Sequence, residues 1–272
     1  MSQHPAPSRR TTIRDLALLK GTRPIISLTA YTAPMAALLD KHVDMLLVGD
    51  SLGMVLYGMA STLPVTVDDM IRHGKAVSSH THHACIIVDM PFGSYQHSPQ
   101  EAFLNATRIM KETGCAAVKL EGGIEMADTV RFLSERAIPV MAHIGLKPQH
   151  VNSMGGYRYQ GRNDSEITQQ LQDAKTLEQA GAWGLLLEGM DAELARTITE
   201  TSAIPTIGIG ASNACDGQIL VTEDMLGLNE RVPKFVKKYG DMKSLIESAC
   251  ASYKYEVTQR IFPDDSHSYG KK

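Results

Sequence analysis

A short apolar run, a turn and a longer amphipathic stretch recur along the chain. The apolar runs fall at residues 24–30, 44–50, 84–90, 115–121, 138–144, 182–188, 204–209 and 218–221. Their length and their Val, Ile and Leu content suit strands buried on both faces of a parallel sheet. The stretches between them carry helix punctuation. Residues 99–113 have Ser98 as a candidate N-cap, Pro99 at the first helical position and Gly114 as the stop. The longest stretch, 164–180, is closed by Gly181. Alternating strand and helix eight times predicts an α/β fold, a single (β/α)8 TIM barrel. Residues 12–19 predict a short N-terminal helix that covers the barrel floor. Little chain separates the last two runs, so the helix between them is expected to be short. A doubly wound open sheet is the alternative, but no GxGxxG follows the first strand.

The informative pattern is how the runs end. The second ends in Gly49-Asp50-Ser51, the third in Asp89, the fourth in Lys119-Leu120-Glu121, the fifth in His143 and the sixth in Glu188. Apolar strands that finish in ionisable residues place those groups at the C-terminal mouth, where barrel enzymes keep their chemistry. Strand alternation puts Cys115, Ala117, Lys119 and Glu121 on one face, inside the barrel, and Ala116, Val118 and Leu120 on the helix-packing face. Any one of these charges alone is as well read as a solvated strand end. Together, Asp50, Asp89, Glu121 and Glu188 set four acids against Lys119. Crowded like charges either raise some pKa values or recruit a cation. Carboxylate oxygens with no Cys or multi-His cluster favour Mg²⁺ or Mn²⁺ over Zn²⁺. An ion held by two carboxylates keeps open positions for a chelating 2-oxo acid and stabilises its enolate, while a separate carboxylate takes the α-proton.

Composition narrows the setting. The chain has 272 residues, with 27 Lys+Arg against 30 Asp+Glu and a net charge of −3. Without a basic excess, neither a nucleic-acid nor an anionic-membrane partner is expected. No apolar run approaches the roughly 20 residues of a bilayer span. Cys85, Cys115, Cys215 and Cys250 form no CxxC pair, so free thiols in a reducing cytoplasm are expected. Arg9-Arg10 precedes no apolar export segment. The expected organisation is a disordered N-terminus over 1–11, a catalytic barrel over 12–262 and a polar tail over 263–272.

These residues carry a resemblance. LTAY (28–31), VGDSLGMVLYG (48–58), TLPVTVDDM (62–70), VDMPFGSY (88–95), AVKLEGG (117–123), HIGLKPQ (143–149), GGYRYQGR (155–162), LLLEGM (185–190), IGIGAS (207–212) and DGQIL (216–220) run in order. Together they resemble the ketopantoate (3-methyl-2-oxobutanoate) hydroxymethyltransferase family. The resemblance implies that Asp50 and Asp89 ligate one Mg²⁺ per subunit and that Glu121 completes its environment, directly or through water. It implies that Asp50, Ser51, Asp89 and Lys119 contact the keto acid, with Lys119 facing its carboxylate. Glu188 is then the base that deprotonates C3 of 3-methyl-2-oxobutanoate, and 5,10-methylenetetrahydrofolate is the co-substrate. The product is 2-dehydropantoate, of pantothenate and coenzyme A biosynthesis. A homo-oligomer, a decamer of two stacked pentamers, is implied too. Thr32, Arg72, Ala142, Lys147 and Ser212 depart from the family pattern. Lys147 and Ser212 fall in mouth loops, where folate affinity is at stake.

Plainer or rival readings stand beside these. A buried Lys119 invites a Schiff-base aldolase, but Glu121 and Asp50 should keep it protonated. His143 reads equally as a substrate contact or a satisfied core histidine. His80, His82 and His83 read as an exposed helix end before they read as a metal tract. Gly208, Gly210 and Ser212 suit a phosphate grip, a folate lining or a tight turn. GGYRYQGR, with Arg158 and Arg162, is a lid, a folate contact or an ordinary loop. The functional alternatives are a Mg²⁺-dependent keto-acid lyase or mutase without folate, and a non-catalytic barrel.

Overall fold

The structure, a computed structural model, describes residues 9–270. All eight apolar runs form strands: β1 Ile25–Thr29, β2 Met45–Val48, β3 Cys85–Asp89, β4 Ala117–Glu121, β5 Val140–Gly145, β6 Gly184–Glu188, β7 Thr206–Ile209 and β8 Gly217–Leu220. Each pairs in parallel with its sequence neighbour, and β1 pairs with β8, which closes the barrel. The chain falls into two compact units that divide between Val221 and Thr222. The barrel strands therefore all belong to the first unit, and residues 222–262, expected to continue the barrel domain, belong to the second.

The helices of the first unit are α1 Ile13–Ala17, α2 Ala33–Leu39, α3 Leu52–Val55, α4 Val67–Ser78, α5 Pro99–Thr113, α6 Ala127–Ser134, α7 Val151–Met154, α8 Asp164–Gln179 and α9 Ala192–Thr201. Their ends are chemically specified. Ser98 Oγ accepts from Glu101 N, and Gly114 closes α5 at φ 71° in the left-handed region, as the sequence predicts. Thr12 with Asp15, and Thr66 with Asp69, form capping boxes on α1 and α4. Between β7 and β8 there is no helix among the described residues. The expected short helix is a turn, because seven residues cannot make a crossover helix and both its loops.

The first unit has two apolar layers. Val118, Leu120, Leu185 and Leu187 point outward into the layer shared with the helices. Ile25, Met45, Leu47, Ile87, Ala117, Met141, Leu186, Ile207 and Ile219 fill the interior, and Leu16 of α1, fully buried, belongs to the same cluster. Alpha-1 thus closes the floor, as expected. Cys115 departs from its expected face and packs in the outer layer, while Ala116 lies against the inner one. Alternation holds only inside a strand, and β4 starts at Ala117.

Of the expected disordered N-terminus, residues 1–8 lie outside the described residues. Arg9 pairs with Asp15 at 2.9 Å, Arg10 Nε donates to Thr81 O at 2.8 Å, and Thr11 N donates to His83 O at 2.8 Å. The second unit holds α10 Thr222–Met225 and α11 Met242–Thr258. In the expected polar tail, Asp264 caps a 3₁₀ turn over Asp265–His267; residues 271–272 lie outside the description. Among the described residues, no helix is long and apolar enough to cross a membrane.

Candidate active site

Parallel closure aligns the strand ends, so the polar residue that finishes each strand meets its neighbours across the mouth. The register pairs Asp89 with Lys119, Glu121 with His143, and Gly145 with Glu188. Asp50 and Ser51 follow β2 after Gly49. Asp50, Asp89, Lys119, Glu121 and His143 are each 4% exposed or less. The Glu188 side chain keeps 20%, enough for an entering molecule to touch it.

The contacts form one connected cluster. Asp50 N donates to Asp89 Oδ2 at 3.0 Å. Lys119 Nζ lies 3.0 Å from Asp89 Oδ1 and 3.3 Å from His143 Nδ1. His143 Nδ1 is 3.6 Å from Glu121 Oε1, and its Nε2 is 3.3 Å from Glu188 Oε2. Ser51 Oγ shares a 2.8 Å hydrogen bond with Tyr31 OH. All six predicted site residues, Asp50, Ser51, Asp89, Lys119, Glu121 and Glu188, therefore share this mouth, with His143 between the acids.

Electrostatics assigns protons. Burial pushes the Asp50 carboxyl up to about 8, helped by the neighbouring Asp89 and Glu121 charges. Asp89 is raised first by burial, against the pull of Lys119. Burial, then the Glu121 charge, pushes Glu188 up to about 8. Burial alone would drive the proton off Lys119, but Asp89, Glu121 and Asp50 outweigh it and hold the ammonium charged. A charged lysine 3.0 Å from a carboxylate is not a Schiff-base nucleophile. Burial and the Lys119 charge hold His143 well below the usual imidazole range, hence neutral. Because an ammonium only donates, His143 Nδ1 must accept from Lys119, which leaves the ring proton on Nε2, facing Glu188.

A divalent cation suits part of this set. Asp89 Oδ1 is buried, and among the described residues its partner is the Lys119 ammonium, 3.0 Å away as an ion pair. Two adjoining carboxylates with raised pKa values, Asp50 and Asp89, gain from a cation, and Mg²⁺ characteristically binds one or two carboxylates plus water and substrate oxygens. Among the described residues, no three His, Cys, Asp or Glu side chains form a group able to hold a metal by themselves. Glu121 Oε2 accepts from Gln149 N at 3.0 Å.

Two residues that carry no charge escaped the sequence reading. Tyr95, fully buried, accepts from Glu121 N at 3.1 Å and donates to Gln149 Oε1 at 2.6 Å. Gln149 Nε2 donates to Asp50 Oδ2 at 2.8 Å and to Met90 O at 3.0 Å. Both lie in quoted motifs, DMPFGSY and HIGLKPQ, but nothing in their spacing marks them.

The side readings resolve locally. His80, His82 and His83 are exposed, and the backbone N–H groups of His82, His83 and Ala84 donate to the buried Asp40 carboxylate. Ser212 is buried and builds a turn, accepting from Ala214 N at its Oγ and from Gln218 Nε2 at its carbonyl. Lys147 pairs with Glu125 at 3.4 Å and Arg72 with Asp69 at 2.9 Å. Thr32 caps α2 without a side-chain bond, and Ala142 is fully buried in the outer layer. In GGYRYQGR, Arg162 is committed to Glu166 at 2.7 Å, whereas Tyr157 OH reaches Met54 Sδ at 3.6 Å. The Tyr157 hydroxyl is raised by burial and then by the Asp50, Glu188 and Glu121 charges, and its bond to Met54 ties this loop to α3, which follows Asp50 and Ser51.

A family model described as ketopantoate hydroxymethyltransferase matches residues 10–265. A 3-methyl-2-oxobutanoate hydroxymethyltransferase of Brucella suis is 55% identical over 269 residues, covering 98% of each chain. Its counterpart from Rhizobium rhizogenes is 56% identical over 266 residues, covering 97% of each. Among solved structures, phosphonopyruvate hydrolase in complex with oxalate and Mg²⁺ shares the fold, with a TM-score of 0.60 at 11% identity over 95% of this chain and 92% of that one. With a match spanning nearly every described residue, the chain belongs to the ketopantoate hydroxymethyltransferase family.

Proposed function

We propose that the chain transfers a hydroxymethyl group from 5,10-methylenetetrahydrofolate to 3-methyl-2-oxobutanoate, with water supplying the hydroxyl oxygen, to give 2-dehydropantoate and tetrahydrofolate. The observation that carries the mechanism is the buried mouth in which four acids, Asp50, Asp89, Glu121 and Glu188, face the single Lys119 ammonium, 3.0 Å from Asp89 Oδ1. Asp50 and Asp89 would hold Mg²⁺, with Glu121 acting on it through water. Bound there, the ion would polarise the 2-oxo group as a Lewis acid and stabilise negative charge on its oxygen.

The protein residues do the rest. Lys119, held charged, meets the substrate carboxylate, and Ser51 hydrogen-bonds beside it. Glu188 removes the C3 proton; burial has made it a stronger base than a solvated carboxylate. The neutral His143 keeps its Nε2–H toward Glu188, 3.3 Å from Oε2. The resulting enolate attacks the one-carbon unit, and the loop carrying Tyr157 shields the mouth from water. The reading includes one Mg²⁺ per subunit, a homodecamer and a cytoplasmic location.

The test is formation of 2-dehydropantoate from both substrates with Mg²⁺ and then with EDTA. Product is expected with the metal and none with the chelator. Exchange of the C3 proton should fall by about 10²–10⁴ in Glu188→Gln. Exchange at the parent rate would overturn the base assignment. A folate-free lyase or mutase would instead turn over keto acid alone, and a non-catalytic barrel would do neither.

A further inference from the structure

The orientation of the Gln149 amide is dictated by its partners. Tyr95 OH accepts the Glu121 N–H, so its own proton must go elsewhere, and it lies 2.6 Å from Gln149 Oε1. Gln96 Nε2 donates to that same oxygen at 3.2 Å. Gln149 Nε2 therefore faces Met90 O, which can only accept, and Asp50 Oδ2 beside it. Flipping the amide would set oxygen against oxygen at Met90 and leave the tyrosine proton without an acceptor. The side chain is 4% exposed, so water cannot repair such an error cheaply.

The same chain of bonds divides the oxygens of the two aspartates. Asp50 Oδ2 is engaged by Gln149, and Asp89 Oδ2 is engaged by Asp50 N. Gln149 also clamps Glu121, whose Oε2 accepts the Gln149 backbone N–H. One residue thus ties together the ends of β2, β3 and β4 from the loop that follows β5.

We propose that Gln149 is a positioning residue for a divalent cation: its amide occupies one Asp50 oxygen, so that the carboxylate presents the other to the ion as a single-oxygen ligand, and Tyr95 locks that amide in place. The proposal rests on the metal reading above and goes beyond it by assigning the orientation of Asp50 to two uncharged residues. Gln149→Met removes the donor while conserving bulk. Tyr95→Phe keeps Gln149 and removes only the hydroxyl that locks it.

The test is Mn²⁺ binding to the full chain without substrate, followed by the electron paramagnetic resonance signal of bound and free ion. Losing an outer partner of a metal ligand characteristically weakens binding about 10–100-fold, and that rise in Kd is expected for Gln149→Met. Tyr95→Phe is expected to raise Kd more than threefold. The spectrum of the bound ion, which reports the symmetry of its oxygen shell, should change in both variants. Simple damage to the barrel would lower the bound fraction without altering that spectrum. Parent-like affinity and spectrum in Gln149→Met would overturn the proposal. Should Gln149→Met fail to fold, parent-like values in Tyr95→Phe would overturn it equally. Asp50→Asn separates the two readings: if it binds Mn²⁺ as the parent does, the metal reading itself has failed.

Discussion

Burial acts on Lys119 and Glu188 in the same way, by disfavouring charge, yet the two end in opposite states. Three carboxylates surround the lysine and hold its proton charge. Glu188 has the neutral His143 on one side and further acids beyond it, so it is pushed toward the protonated form at about 8. This has a measurable sign. A carboxyl raised in the folded state binds a proton there that the unfolded chain has already released, so its stabilising contribution is present below the unfolded value and is lost as pH rises through about 8. Glu188→Gln removes that titration. In urea unfolding with chelator present, the variant should gain on the parent from pH 5.5 to pH 8.5, by on the order of 2–4 kcal/mol. Parallel curves would mean that Glu188 ionises normally in the fold.

At the scale of the elements, the mouth depends on how β5 ends against β6. Gly145 closes β5 at φ 93°, a left-handed conformation that favours glycine. A Cβ there would run into the carbonyl oxygen of Glu188, and that oxygen is the acceptor for Leu146 N at 2.8 Å. Gly145→Ala should therefore shift the base as well as strain the turn. The expected loss is about 2 kcal/mol of stability and at least roughly tenfold in kcat, read by thermal unfolding and initial rates. A variant with lowered stability but unchanged kcat would show that the strain does not reach Glu188. The same contrast explains what could be read from the chain. Strands and their charged ends were legible because burial imposes a period and a charge interrupts it. The loop after β5 was not: Gln149 acts through hydrogen bonds to groups 99 and 28 positions away, and local spacing carries no trace of such partners. Cys115 was misplaced because its run was read as strand two residues too early.

For the whole molecule, the comparison with solved structures concerns fold, and the site has to be argued from this chain. Barrel closure needs only eight apolar runs in a parallel register, so chains sharing 11% of their residues arrive at it. The chemistry needs particular residues at the strand ends, whereas the 55% identity to the Brucella suis relative runs over 98% of the chain and speaks for the family. One architectural detail bears on traffic. Leu16 belongs to the apolar cluster that fills the barrel interior, so the proposed way in is the mouth at the strand ends, and the deeper of two guests must pass through the space that the later one fills. In the proposed reaction the small keto acid would sit deep and the bulky pterin above it. A compulsory order of arrival follows: keto acid already bound when excess folate is added should be carried forward to product in an isotope-trapping experiment, whereas folate bound first should be released. Equal trapping of both would point to a second way in.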